Sequence, residues 1–245
     1  MCGRYASSKE PAELIEEFGV TNGPETPLAP DFNVAPTKKV YAVLDRDAGT
    51  DSDRERLLAE VRWGLVPSWA KDPKIGSRMI NARLETAAVK PASRSAWARR
   101  RALLPADGYY EWHTGSAVEG AGRPHKQPYF IHLADGGTLA MAGLYELWRD
   151  PSKDPDDSES WLWTATVLTT TATDGLGRIH DRMPVHVPAE QRDDWLDPGF
   201  TGDPRSLLDP AAAAAHMVAY PVSTLVNSVR NNGPELMAPI PLATS

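Results

Sequence analysis

The sequence is poorest in cysteine: Cys2 is the only one in 245 residues. An internal disulfide is excluded, and so is a metal cluster built on several thiolates. Long apolar runs are missing too. Nothing approaches the roughly 18–20 consecutive apolar residues that span a bilayer. No apolar stretch follows the single basic residue of Met1-Cys2-Gly3-Arg4-Tyr5, so no signal peptide is expected. The chain has no Walker-type phosphate loop and no Gly-x-Gly-x-x-Gly element, and hence no implied nucleotide cofactor. His113, His125, His132, His186 and His216 show no ligand spacing, so no metal is expected either. These absences point to a reduced, cytoplasmic protein that works with its own side chains.

Aromatic residues, in contrast, are plentiful. Eight Trp, seven Tyr and four Phe in a chain that is 41% hydrophobic can build a substantial core and exclude a disordered chain. No internal repeat is visible, and no stretch is long enough to be an interdomain linker, so one domain is expected. Three segments read as surface excursions: the charge-dense Asp45–Glu60, the Gly-rich Gly115–Gly122 and the Asp/Ser/Pro-rich Pro151–Ser160.

The net charge argues mildly against nucleic acid, but charge is unevenly placed. The net charge is −7. Between Arg62 and Arg101, however, ten Lys/Arg face only Asp72 and Glu85. A local basic surface on an acidic protein can bind a phosphate backbone, although a solvated helix face gives the same count.

Hydrophobic periodicity predicts helices over Glu10–Phe18, Arg83–Val89, Ser93–Arg100 and Ala189–Leu196. It predicts strands over Val40–Leu44, Val61–Val66, Arg101–Leu104, Tyr129–Leu133, Leu139–Leu144, Trp161–Thr169 and Met217–Val222. Strands dominate without strict β-α-β rotation. The expected fold is α+β: a single domain with a largely antiparallel, barrel-like sheet and short peripheral helices. The 22 prolines, many beside strands, fit a loop-rich sheet and disfavour a helical bundle.

Cys2 carries the most specific chemistry. Methionine aminopeptidase action before a small residue would leave Cys2 at the terminus, with a free α-amine and a thiol on one carbon skeleton. Such a 1,2-aminothiol can attack an aldehyde through the amine, whose reference pKa near 8 leaves part of it unprotonated at neutral pH. The thiol then closes a five-membered thiazolidine. An internal cysteine cannot do this, because its nitrogen is in a peptide bond. Cys2 in a frayed terminus with no role is the plainer alternative.

The neighbours of Cys2 narrow the choice. Met1-Cys2-Gly3-Arg4-Tyr5 is followed by Phe32-Asn33-Val34-Ala35-Pro36-Thr37 and by Arg62-Trp63-Gly64-Leu65-Val66-Pro67-Ser68-Trp69. Then come Asn81-Ala82-Arg83-Leu84-Glu85-Thr86, Ala106-Asp107-Gly108-Tyr109-Tyr110-Glu111-Trp112, Met141-Ala142-Gly143-Leu144-Tyr145-Glu146 and His180-Asp181-Arg182-Met183-Pro184-Val185. In this order and spacing the motifs resemble the SOS response-associated peptidase (SRAP) family, over nearly the whole chain. The resemblance implies the SRAP fold over residues 1–238, followed by a tail of 239–245. It also implies a function: family members cover abasic sites in single-stranded DNA and link to them through an N-terminal cysteine.

The same resemblance suggests roles residue by residue. Cys2 supplies both nucleophiles. Glu111, in an aromatic, Gly-hinged turn, is the expected acid/base, because partial desolvation raises a carboxyl pKa. His180 is the expected proton shuttle near pH 7. Asn81 is expected to position the amine or the sugar, unless it caps the helix predicted after it. Arg4, Arg83 and Arg182 are the expected phosphate contacts, and Trp69 the expected stacking platform. Trp63 is assigned to the core. Trp97, Trp112, Trp148, Trp161, Trp163 and Trp195 are assigned to packing. The implied partner is single-stranded DNA containing abasic sites, with no membrane and no cofactor. A monomer that associates with the nucleoid when bound to damaged DNA is expected. Two other readings stay open. One is a cysteine peptidase or autoprotease with Cys2 as thiolate and His180 as base, against which stands the single residue preceding Cys2. The other is a passive single-strand binder.

Overall fold

The computed structural model describes residues 2–47, 54–114, 126–154 and 156–241. In chain order its elements are β1 (Tyr5–Ser7), α1 (Pro11–Phe18), β2 (Asp31–Val34), β3 (Lys39–Asp47), β4 (Arg54–Trp63) and β5 (Asn81–Arg83). Then follow α2 (Arg94–Arg99), β6 (Arg101–Ala106), β7 (Gly108–Thr114), β8 (Lys126–Leu133), β9 (Leu139–Arg149) and β10 (Trp161–Thr171). The chain finishes with β11 (Arg182–Pro184), α3 (Arg192–Leu196), α4 (Pro210–Ala215) and β12 (Met217–Pro221). This is the α+β, sheet-dominated architecture that the sequence predicts.

Two sheets form. Strands β4, β3, β6, β9 and β10 hydrogen-bond in a closed ring, a five-stranded barrel, because β10 pairs both β9 and β4. The β10–β4 contact is parallel and the other barrel pairings are antiparallel. Strand β10 outruns its neighbours, so β5 and β11 also pair with its C-terminal half. The second sheet is antiparallel, in the order β12-β8-β7-β1-β2. Period-two alternation of apolar residues binds these layers together. Along β3, Val40, Ala42 and Leu44 join the cluster that holds Tyr5, Tyr109 and Ile131 of the second sheet. Tyr41 and Val43 join the cluster of Leu14, Phe18, Trp97 and Trp195 beneath the helices.

Helix α1 starts where Glu10 N–H donates to the Glu13 carboxylate at 3.1 Å, and it stops at Gly19, whose φ is +62°. This is an acidic N-terminal brace with a left-handed C-terminal stop. The basic stretch is not all surface. Arg101 is 1% exposed and donates to the carbonyls of Trp97, Ala98, Trp195 and Asp197, so backbone dipoles balance its charge.

The structure corrects several expectations. Asp45–Glu60 is not an excursion: β3 runs to Asp47, and β4 begins at Arg54. Its charges meet across the ladder, Arg56 Nε to Asp45 Oδ1 at 2.8 Å and Arg46 Nη2 to Glu55 Oε2 at 2.8 Å, so dense charge there marks paired strand edges. The middle of that segment, like Gly115–Gly122, lies outside the described residues. The helix expected over Arg83–Val89 is absent. Asn81–Arg83 pairs parallel with Val167–Thr169, and the chain continues in tight turns such as Thr86 N–H to Arg83 C=O. Sheet pairing overrides the helical preference of that composition. Glu111 stands within β7 and not in a turn. Trp161, assigned to packing, is 47% exposed, while Trp63 is fully buried.

Candidate active site

Pairing of β1 with β7 places Cys2. Tyr5 lies opposite Tyr109, and Tyr110 N–H donates to Arg4 C=O at 2.9 Å, so the start of the chain lies along β7. Tyr109 and Glu111, two residues apart, share the inward face of that strand. Gly108 lets β8 close on the other edge of β7, since a Cβ there would meet the Ile131 carbonyl oxygen at 2.5 Å.

Strand β5 approaches from the barrel. It is pinned by Trp63 Nε1–H to Ile80 C=O at 2.9 Å and Leu65 N–H to Met79 C=O at 3.0 Å. Gly64 makes the turn into this segment with φ +130°, its Cα packed against Gly76, where a side chain would collide with the Gly76 carbonyl. Asn81 is thereby presented to Cys2, and its Nδ2–H donates to the Cys2 carbonyl at 2.7 Å. Asn81 therefore lies on a strand, bonded to Cys2, and caps no helix. His180 sits in the turn before β11, with Nε2 4.0 Å from Glu111 Oε2. Cys2, Asn81, Glu111 and His180 thus converge from four distant parts of the chain.

Burial sets the electrostatics. Cys2 is fully buried, and desolvation pushes its thiol well above the ordinary range, helped by the Glu111 charge. The Arg4 N–H, aimed at the sulfur, pulls weakly the other way. Glu111 is 4% exposed. Burial raises its pKa to about 7, and Asp181 adds to the rise against the opposing positive charge of the chain terminus. Near neutral pH this carboxyl is both a donor and an acceptor of protons. Burial lowers the pKa of His180, favouring the neutral ring. Arg182 N–H points at His180 Nδ1 at 3.0 Å, and the Asp181 carboxylate lies 2.9 Å from the same atom. Nδ1 accepts from Arg182 N–H in one neutral tautomer and donates to the Asp181 carboxylate in the other, and Nε2 faces Glu111 in both.

The structure also brings in residues that the sequence reading missed. Tyr5 and Tyr109 are fully buried in the cluster that contains Cys2, and neither hydroxyl has a hydrogen-bond partner among the described residues. Tyr109 was within reach of the sequence, because it precedes Glu111 by two on one strand. Asn33 also belongs to the frame: its Oδ1 accepts from Arg4 Nη1 at 2.6 Å, and its Nδ2 donates to three carbonyls of residues 226–231.

The expected strand contacts fall into two groups. Arg83 and Trp69 are exposed, Trp69 by 59%. Trp69 shares a surface hollow with Lys71, Lys74 and Arg78. Arg4 is half-buried, donates to Asn33 and to Val226 C=O, and stands over the Trp112 ring. Arg182 is 9% exposed, and its fork is bidentate on Glu85 at 2.7 and 3.0 Å. Among the described residues no group of three His, Cys, Asp or Glu is placed to hold a metal ion.

Comparison with known proteins identifies the family. Residues 1–229 match the family model described as SOS response associated peptidase (SRAP). Abasic site processing protein YoqW of Bacillus subtilis is 41% identical over 97% of this chain and 99% of its own length. Abasic site processing protein YedK of Escherichia coli is 33% identical over 98% and 100%. Abasic site processing protein HMCES of Gallus gallus is 32% identical over 99% of this chain and 79% of its own length. A crystal structure of a protein from Bacteroides thetaiotaomicron superposes with a TM-score of 0.77 over 98% of this chain and all of that one, at 24% identity, and so supports the fold alone. The chain belongs to the SRAP family.

Proposed function

We propose that this protein captures abasic sites in single-stranded DNA as a covalent thiazolidine on Cys2. One observation carries the reading: the cysteine directly after the initiator Met, its carbonyl held by Asn81, beside a buried carboxyl whose pKa is drawn to about 7. The relatives are named abasic site processing proteins, which supports an abasic site as the substrate.

The chemistry follows from the geometry. An abasic deoxyribose must open to its aldehyde, which needs a proton delivered to the ring oxygen and one removed from the C1′ hydroxyl. Glu111, half-protonated near neutrality, serves both steps. With Met1 removed, the Cys2 amine attacks C1′. The carbinolamine loses water, its oxygen protonated by Glu111 or by His180, and leaves an imine. The thiol then adds to the imine carbon, and its proton passes to the nitrogen. The products are the thiazolidine and one water.

The peptidase reading fits less well. A peptidase needs a thiolate beside its imidazole, whereas burial here favours the neutral thiol and His180 faces Glu111. For strand binding, Arg83 and the surface around Trp69 offer cations that form no ion pair with any described residue, and a stacking ring. Arg182 reaches a phosphate only by giving up Glu85. The test is intact mass after mixing with a single-stranded oligonucleotide bearing one abasic site. The expected product is protein without Met1 plus the oligonucleotide minus one water. Cleavage of a fluorogenic peptide without such an adduct would favour the peptidase instead.

A further inference from the structure

An abasic sugar inside a strand carries a phosphodiester on each side, so the strand leaves the reacting centre in two directions. One direction leads to β5, where Arg83 stands two residues from Asn81. The other is set by the second sheet, in which β1, β7, β8 and β12 follow one another. Cys2 precedes β1 and is bonded to Asn81, Glu111 lies on β7, and Tyr129 of β8 is the register partner of Glu111. Directly paired residues share one face of a sheet, about 5 Å apart. Tyr129 therefore lies beside Glu111, on the side away from Cys2 and β5. There the surface opens into a hollow of about 490 Å³. Its apolar walls include Leu176, Met217 and Ala219, and Tyr129, His113 and Arg178 line it as well. The two rings are half-buried and meet edge to face at 6.4 Å. Arg178 is exposed and forms no ion pair with any described residue. The hollow also backs His180, since it lies against the single turn Asp174–Arg178, and His180 N–H donates to the Leu176 carbonyl at 3.1 Å. It thus adjoins the supports of both Glu111 and His180.

Apolar walls, two rings and one cation, all reachable from solvent, together fit one kind of occupant. A bare phosphate would leave the walls and rings uncovered. An acyl chain would draw nothing from Arg178. A nucleotide uses all three, with its base against Tyr129 and His113 and its phosphate on the Arg178 guanidinium. We propose that this hollow takes the nucleotide that flanks the abasic site on the side opposite Arg83. This rests on the abasic-site reading above and gives the strand its second direction away from the centre. Stacking and one phosphate contact read no base edge, so any base is accepted there.

The test measures the affinity of the whole protein for single strands with a central tetrahydrofuran abasic analogue, which cannot crosslink. Two shorter strands end in a hydroxyl at the analogue, one lacking every nucleotide on its 5′ side and the other every nucleotide on its 3′ side. On the full strand Arg178→Ala should weaken binding about three- to fivefold near physiological salt and flatten the salt slope by about 0.7. Arg178→Lys should restore the slope. On one shortened strand the loss from Arg178→Ala should vanish while that from Arg83→Ala persists, and on the other the reverse should hold. Tyr129→Leu should weaken binding about fivefold on the full strand. That loss should vanish when the base on the Arg178 side is replaced by a second tetrahydrofuran, which keeps the phosphate. Equal affinities of Arg178→Ala and wild type on the full strand would overturn the proposal. So would losses at Arg178 and Arg83 that vanish on the same shortened strand, or a loss at Arg178 that survives both. Adduct formation on true abasic DNA separates the two readings. If it occurs without these couplings, only the subsite fails. If it does not occur, the abasic-site reading fails.

Discussion

Two regions treat polar groups in opposite ways. Around Cys2 the protein removes water, so Cys2, Tyr5, Tyr109 and Glu111 are all buried. Between β4 and β5 it does the reverse, and Trp69, Lys71, Lys74 and Arg78 stand in solvent. Dry surroundings shift proton affinities, as with the Glu111 carboxyl at about 7, and so suit bond-making. Wet cations keep their full charge, hold phosphates loosely and are screened by salt. If the division is right, substitutions in the first region change rates, and those in the second change affinities.

The largest effect is expected at Cys2. Cys2→Ala should abolish the heat-stable adduct and leave the affinity for single strands nearly intact, measured by denaturing gel and by anisotropy. An extra residue before Cys2 should do the same, because it ties up the amine. A heat-stable adduct from either protein would place the nucleophile elsewhere and break the comparison at its dry end.

Next is Glu111. Glu111→Gln should slow single-turnover adduct formation by roughly 10²–10⁴-fold, the usual contribution of a general acid–base group. It should also remove an inflection near pH 7 from the wild-type profile. A second readout follows from linkage. The folded carboxyl holds its proton more tightly than the unfolded one, so the native state is favoured at low pH and loses stability as pH rises from the ordinary carboxylate range through about 7. Glu111→Gln should therefore raise Tm at pH 8 by an amount equivalent to about 1–3 kcal/mol and change little at pH 4. Equal Tm differences at both pH values would mean that the carboxyl is not held near neutrality.

At the wet end, Trp69→Ala should weaken single-strand binding by about 1–3 kcal/mol, the range for stacking one base on an aromatic ring. The rate of adduct formation at saturating DNA should not change. A slower saturated rate with unchanged affinity would assign Trp69 to the dry region.

Much of this was legible in the sequence, and what escaped did so for identifiable reasons. The period-two runs of β3, β9 and β10 announced the barrel. The resemblance to the SRAP motifs singled out Cys2, Asn81, Glu111 and His180, which the structure brings together. Pairing partners far along the chain were not legible. Asn81 touches Cys2 across 79 positions, and its strand exists because β10 offers an edge. No local pattern encodes that edge, so the helix-forming residues after it misled. Gly108 read as a hinge, yet it serves the close approach of β8 to β7. Asp45 and Arg56 read as solvated charges because their partnership depends on register. The fork of Arg182 looked ready for phosphate because nothing in the sequence shows that Glu85 already holds it.

The smallest effect, and the finest test of the division, concerns Arg83. It lies two residues from Asn81 on one short strand, so it stands at the border between the regions. Its guanidinium is exposed and forms no ion pair with any described residue. If it holds one phosphate, Arg83→Ala should weaken binding a few-fold near physiological salt. It should also flatten the slope of log K against log salt by about 0.7, the value for one contact on a single strand. The pH profile of adduct formation should keep its inflection near 7, because burial and not Arg83 sets the Glu111 proton affinity. Two outcomes would redraw the border. An unchanged slope would remove Arg83 from the strand path. A displaced inflection would show that its charge reaches into the dry centre, which a screened surface cation should not do.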